Sequence, residues 1–142
     1  MKSLIHYVVL TALISLVAPE VPQPAPIGET TVRASTPLDV VNQRMRAYNR
    51  HDLPALLASY SDSIAIFTHP RNLLGEGKGH LRWVFEDMFR EGVVHVEVHH
   101  QFTIDSYVVN HETVDYGTKT TEYVSIYEVK DGLIQSVTFL RD

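Results

Sequence analysis

The sequence predicts one small α+β domain in which three helices from the N-terminal half pack on a curved antiparallel sheet. Three observations carry that expectation. Apolar residues repeat at helical spacing between Leu38 and Phe89, the repeat shortens to two from Val93 onward, and Lys130-Asp131-Gly132 has the form of a tight hairpin turn. With 142 residues, 44% hydrophobic and 20% charged, the chain has the length and balance of a single globular domain with its own core.

Lys2 followed by the apolar run Leu4 to Ala18 has the shape of a secretory leader, too short for an ordinary membrane span of ~20 residues. Residues 1–18 are therefore expected to direct the protein to a secreted or periplasmic location, with a retained signal anchor as the alternative. Pro19, Pro22, Pro24 and Pro26 with Gly28 break regular structure, so 19–35 is expected to be a disordered linker ahead of a domain spanning 36–142.

Thr36 offers an N-cap, with Pro37 at the first helical position and Asp39 three residues after the cap, and the helix they open is expected to run to about Arg50. Leu38, Val41, Met45 and Tyr48 mark its buried side. His51-Asp52 breaks it, and 52–60 reads as a second, short helix carrying Leu53, Leu56, Leu57 and Tyr60 on one side. A β-rich run over 64–68 stops at Pro70, and 71–79, with three glycines, reads as a loop. In the third helix, Gly79 to Arg90, the stripe Leu81, Val84, Phe85, Met88, Phe89 is the buried face and Trp83 stands opposite. Strands follow over 93–105, 106–114, 120–129 and 133–141, the first with Val94, Val96, Val98, His100, Phe102 and Ile104 on its even face.

The formal charge of −5 and the scattered Lys and Arg residues leave no basic field for nucleic acid. The absence of cysteine removes disulfides, thiol nucleophiles and thiolate metal sites. His95, His99, His100 and His111 are the metal-type residues, but on a regular strand His100 points away from His95 and His99, so no metal or other cofactor is expected. His100 interrupts an apolar face and there needs a hydrogen-bond partner or a ligand. His111 and Glu112 face opposite sides of their strand, and the spacing leaves open which faces in. Tyr48, Tyr60, Phe67, Phe85 and Tyr127, with His100, are candidates to line a pocket for a small apolar ligand, the alternative for the phenylalanines being plain core. Trp83 and the outer sheet face suggest a homodimer surface.

The segments Tyr48-Asn49-Arg50-His51-Asp52-Leu53, Tyr60-Ser61-Asp62-Ser63, Leu74-Gly75-Glu76-Gly77-Lys78, Val109-Asn110-His111-Glu112 and Ile126 to Gly132 resemble, in order and spacing, the nuclear transport factor 2-like superfamily of steroid isomerases and SnoaL-type polyketide cyclases. The resemblance spans Thr36 to Arg141 and implies a cystatin-like α+β cone, its sheet wrapped around a pocket closed by the helices. Steroid isomerases of this fold use a carboxylate base on the first strand and an oxyanion site built from a tyrosine and a protonated aspartic acid. Here the corresponding strand end reads Thr68-His69-Pro70, either Thr68 or His69 taking the base position, with His69 favoured because Pro70 matches the family's turn. Ser125, between Tyr123 and Tyr127, stands where the oxyanion acid is expected, and Tyr48 lies about one helical turn from the isomerase tyrosine. The resemblance thus implies an isomerase or cyclase acting by proton transfer through His69. Its rival is a non-catalytic ligand-binding or dimeric interaction module of the same fold.

Overall fold

Thr36 and Asp39 close a reciprocal capping box in the computed structural model, which describes residues 34–141: the Thr36 hydroxyl accepts from the Asp39 amide at 3.1 Å and the Thr36 amide donates to the Asp39 carboxylate at 2.9 Å. The expected leader, and the expected linker up to residue 33, lie outside the described residues. The box opens helix α1, Pro37–Asn49, followed by α2, Leu53–Ala58, β1, Tyr60–Thr68, β2, Asn72–Glu76, and α3, Gly77–Glu91. Strands β3, His95–Ile104, β4, Tyr107–Asp115, β5, Thr120–Lys130, and β6, Leu133–Leu140, complete the chain.

The six strands form one sheet in the order β2-β1-β6-β5-β4-β3, antiparallel throughout except that β1 runs parallel to β6. The parallel pair arises because α3 and the β3 to β5 meander intervene before the chain returns beside β1. Strand β2 falls inside the stretch expected to be a loop. It is a five-residue, largely exposed edge strand with Gly75 in it, and so carries no alternation to detect.

Asp131 and Gly132 both take positive φ, 53° and 73°, the geometry of a type I′ hairpin turn between β5 and β6. Helix α3 ends on Gly92 in the left-handed conformation. Trp83 stands on its far side, 74% exposed, as its place off the apolar stripe requires. Leu56, Ile64, Val108, Tyr127 and Ile134 are fully buried between the helices and the inner face of the sheet.

Strand β3 departs from strict alternation. Val98 pairs with Glu112 and His100 with His111, so one extra residue, His99, bulges from the ladder. A bulge reverses parity. Val94 and Val96 are buried as the period of two requires, but His100, Phe102 and Ile104 are exposed on the outer face.

Candidate functional site

Between the inner face of the sheet and helices α1 and α3 lies a cavity of about 200 Å³, walled by Arg44 and Tyr48 from α1, Val84, Phe85 and Met88 from α3, and Thr68, Glu112, Tyr116, Tyr123 and Phe139 from the sheet side. Leu74, Val114 and Arg141 complete its lining. A neighbouring space of about 270 Å³ shares Arg44, Leu74, Val84, Phe85 and Phe139 and adds Tyr60, Ile66 and His80. The half-buried state of Val84, Phe85 and Met88, on a stripe expected to be core, follows from this cavity.

Glu112 is 1% exposed and its carboxylate is held by three donors. Oε1 accepts from the Ser125 hydroxyl at 2.7 Å and the Tyr127 hydroxyl at 3.2 Å, and Oε2 accepts from the Asn110 amide at 2.9 Å. The Asn110 oxygen in turn accepts from the Gln101 amide at 2.9 Å, which fixes which way the Asn110 amide points. A carboxylate offers about four lone-pair sites. The three bonds leave one of them on Oε2.

Arg44 is the second buried charge, 4% exposed. Its Nε donates to the Tyr60 hydroxyl at 2.9 Å, and its guanidinium carbon lies 4.9 Å from the centre of the Tyr48 ring and 5.7 Å from that of Tyr127. Burial works against its positive charge, but Tyr127, Tyr60 and Glu112 outweigh that and raise its pKa above the ordinary arginine value. The phenols respond in the other sense. Burial pushes Tyr48 up to about 12, against the partial relief that Arg44 provides, and burial likewise raises Tyr127. Tyr116 is raised by burial and by its hydroxyl contact with Tyr123 at 3.0 Å.

These shifts fix the behaviour of the fold in alkali. An unfolded tyrosine loses its proton near pH 10, whereas these three hold theirs beyond it, so the folded state binds more protons than the unfolded state above that pH. Stability is therefore expected to be intact below pH 10 and to fall from pH 10 to beyond 12, with phenolate absorbance rising in step with loss of circular dichroism. Tyr48, Tyr116 and Tyr127 titrating near pH 10 in the folded protein would contradict the assignment.

The sequence-derived candidates divide sharply. Tyr48 and Phe85 line the cavity, Tyr60 lines the neighbouring space and holds Arg44, and Tyr127 stands behind Glu112 as one of its donors. His69, expected to be the base, does not reach the cavity. Thr68 lines it, and because adjacent strand residues face opposite sides, His69 is turned outward, exposed in a cleft with His111, Glu122, Leu140 and Arg141. His100, expected to look into the same cavity, is carried to the outer face by the bulge and stacks on His111 at 5.7 Å. Phe67 also lies outside, in a shallow cleft with Arg71 and Tyr107. The structure thus corrects the expectation that His69, His100 and Phe67 belong to the pocket. His111 faces out with His99 and pairs with Glu122, and among the described residues no three His, Asp or Glu side chains are grouped to hold a metal ion.

Both charged groups buried in the site, Arg44 and Glu112, lie outside the set of pocket residues that the sequence suggests, as does the Tyr116–Tyr123 hydroxyl pair. Arg44 has a signal in the sequence: it lies three residues after Val41 and four before Tyr48, a cation on the apolar stripe of α1. For Glu112 the sequence leaves the facing open, because both faces of β4 mix polar and apolar residues.

Residues 41–137, more than half of the chain, match the SnoaL-like domain family. The chain belongs to that family. No curated protein matches this SnoaL-like chain significantly. Among solved structures, it is similar to an NTF2-like protein of unknown function from Cytophaga hutchinsonii, with 21% identity, a TM-score of 0.66, and 75% of this chain and 90% of that one covered. It is similar to an uncharacterized cystatin-fold protein from Novosphingobium aromaticivorans, with 21% identity, a TM-score of 0.70, and 75% and 99% covered. It is similar, too, to a provisionally assigned polyketide cyclase from Pseudomonas putida, with 21% identity, a TM-score of 0.60, and 76% and 92% covered. The SnoaL-like domain therefore has the nuclear transport factor 2-like, cystatin-type fold that its sequence resembles. At these identities the solved structures establish the fold alone.

Proposed function

We propose that this SnoaL-like domain catalyses an isomerisation or cyclisation by proton transfer on a small, largely apolar carbonyl compound bound in the cavity, with Glu112 as the base. The observation that carries this is a carboxylate, oriented by three donors, in the wall of an otherwise mostly apolar and aromatic cavity. Oε2 takes a proton from a carbon beside the substrate carbonyl. The C–H electron pair becomes the new C=C bond and the carbonyl oxygen becomes an oxyanion. In the Tyr116–Tyr123 pair one hydroxyl donates to the other, so the accepting tyrosine keeps a proton for that oxyanion. Return of the proton from Glu112 to a different carbon completes an isomerisation. Attack of the enolate carbon on a second carbonyl of the same molecule, with the proton delivered to the resulting alkoxide, completes a cyclisation.

The test is conversion of a panel of β,γ-unsaturated ketones to their conjugated isomers in deuterated water. Acceleration over buffer with solvent deuterium in the product is expected. Under this proposal His69→Gln leaves the rate unchanged, because that ring lies outside the cavity. Ligand binding without any conversion across the panel would instead mark a binding module.

We propose also that two copies pair through the outer sheet face, where Phe102 is 55% and Ile104 60% exposed beside Tyr107 and Val124. Trp83 stands on the helical layer rather than on this face. Sedimentation at micromolar concentration is expected to give a dimer that Ile104→Glu converts to a monomer; a monomeric parent would remove the claim. Export of the domain is supported by the apolar run after Lys2, and cell fractionation tests it.

A further inference from the structure

We propose that the natural ligand of the cavity carries a carboxylate and that Arg44 is the group that receives it. This rests on the reading of the cavity as a small-molecule site and adds the chemical class of the molecule. A buried guanidinium is strongly penalised by desolvation and is ordinarily paired with an anion. Arg44 is buried on the apolar stripe of α1, yet it forms no ion pair among the described residues. Its protein partners are the Tyr60 hydroxyl on Nε at 2.9 Å and the Met45 sulfur on Nη1 at 3.2 Å, with the Tyr48 and Tyr127 rings beside the guanidinium carbon.

A guanidinium has five N–H donors. Two are used, and one of their acceptors is a weak thioether. The Nη1–Nη2 end of the fork is left without an oxygen acceptor, and Arg44 stands in the wall common to the spaces of about 200 and 270 Å³. That end presents two parallel N–H bonds, the arrangement that matches the two oxygens of a carboxylate. Glu112 does not serve as that partner, being held instead by Ser125, Tyr127 and Asn110. The lining of the first cavity also includes the exposed Arg141, so two arginines stand against one glutamate in its wall and the charge balance of that wall favours an anionic ligand. The ligand's apolar body then lies against Val84, Phe85 and Phe139, which line both spaces.

The test is an affinity comparison by NMR titration of the full chain with benzoate and cinnamate against benzyl alcohol and cinnamyl alcohol, which keep the shape and remove the charge. The acids are expected to bind at least about tenfold more tightly than the alcohols, and Arg44→Met is expected to bring the acids down to the alcohols while the alcohols still bind. Equal affinities in the parent overturn the proposal. So does a preference that survives Arg44→Met, which would place the carboxylate at Arg141. Should Arg44→Met not fold, Arg44→Lys keeps the charge and loses the fork, and is expected to cut the preference at least about threefold; an undiminished preference overturns the proposal. Binding is read without turnover, so a chain that prefers acids but converts no ketone fails only the catalytic reading, and one that converts ketones without that preference fails only this one.

Discussion

Glu112→Gln is expected to lower turnover by about a hundredfold to ten-thousandfold, the usual contribution of a positioned general base, while the domain stays folded. The side chain keeps its shape, and its amide oxygen can still accept from the Ser125 and Tyr127 hydroxyls. The other end loses. An amide nitrogen at the Oε2 position meets the Asn110 Nδ2 donor, and Asn110 cannot simply turn over because its oxygen accepts from Gln101. One donor-against-donor contact in a buried network costs about 1–3 kcal/mol, so a lower melting temperature is expected with a native circular dichroism spectrum. The decisive measurement is kcat of the variant beside the parent on whichever ketone the panel identifies. A variant rate within about threefold of the parent would remove Glu112 from the chemistry, since that corresponds to well under one tenfold step of barrier.

The same network shows why the chemical site was harder to read than the fold. Helices announce themselves by period and caps, and Thr36-Pro37 with Asp39 fixed the first one to within a residue or so. The hairpin at Asp131-Gly132 was equally plain. Which face of a strand looks inward is a one-residue matter, however, and here it failed twice. At the end of β1 the turn that favoured His69 competes with the alternation that places Thr68 inside. On β3 the bulge at His99 reverses the even face just before His100, and nothing in a run of Val, Glu and His residues announces where a ladder will take an extra residue. Glu112 depended on the same parity: only pairing with β5 sets it among Ser125 and Tyr127. Arg44 was legible in principle, because a charge on the buried stripe of a helix needs a reason. The family's segments mix both kinds of residue, since they include Glu112 and Tyr127, but the first of them is mostly scaffold. In Tyr48-Asn49-Arg50-His51-Asp52-Leu53, only Tyr48 reaches the cavity; His51 bonds the Val94 carbonyl at 2.7 Å, and Asp52 caps α2 through the Ala55 amide.

Asn49 gives that distinction its sharpest test. Its side-chain amide donates to the Val96 carbonyl and its oxygen accepts from the Val96 amide, both at 2.8 Å, so it bonds β3 as a neighbouring strand would. β3 is an edge of the sheet, and its outward backbone groups have no strand to pair with. One side chain thereby fixes the end of α1, and with it Tyr48, against the strand. Asn49→Ala removes both bonds and leaves an N–H and a C=O beneath the helix without their partner. The expected cost is about 2–4 kcal/mol, which for a domain of this size lowers Tm by about 10 °C. Turnover per folded molecule should be retained well below the new midpoint, because no group that touches the ligand has changed. Asn49→Asp should fall between parent and alanine, keeping the bond from the Val96 amide while setting a carboxylate oxygen against the Val96 carbonyl. Thermal melts of the three proteins decide it: a midpoint for Asn49→Ala within about 2 °C of the parent, less than 1 kcal/mol at this size, would mean that the two hydrogen bonds do not hold the helix to the sheet.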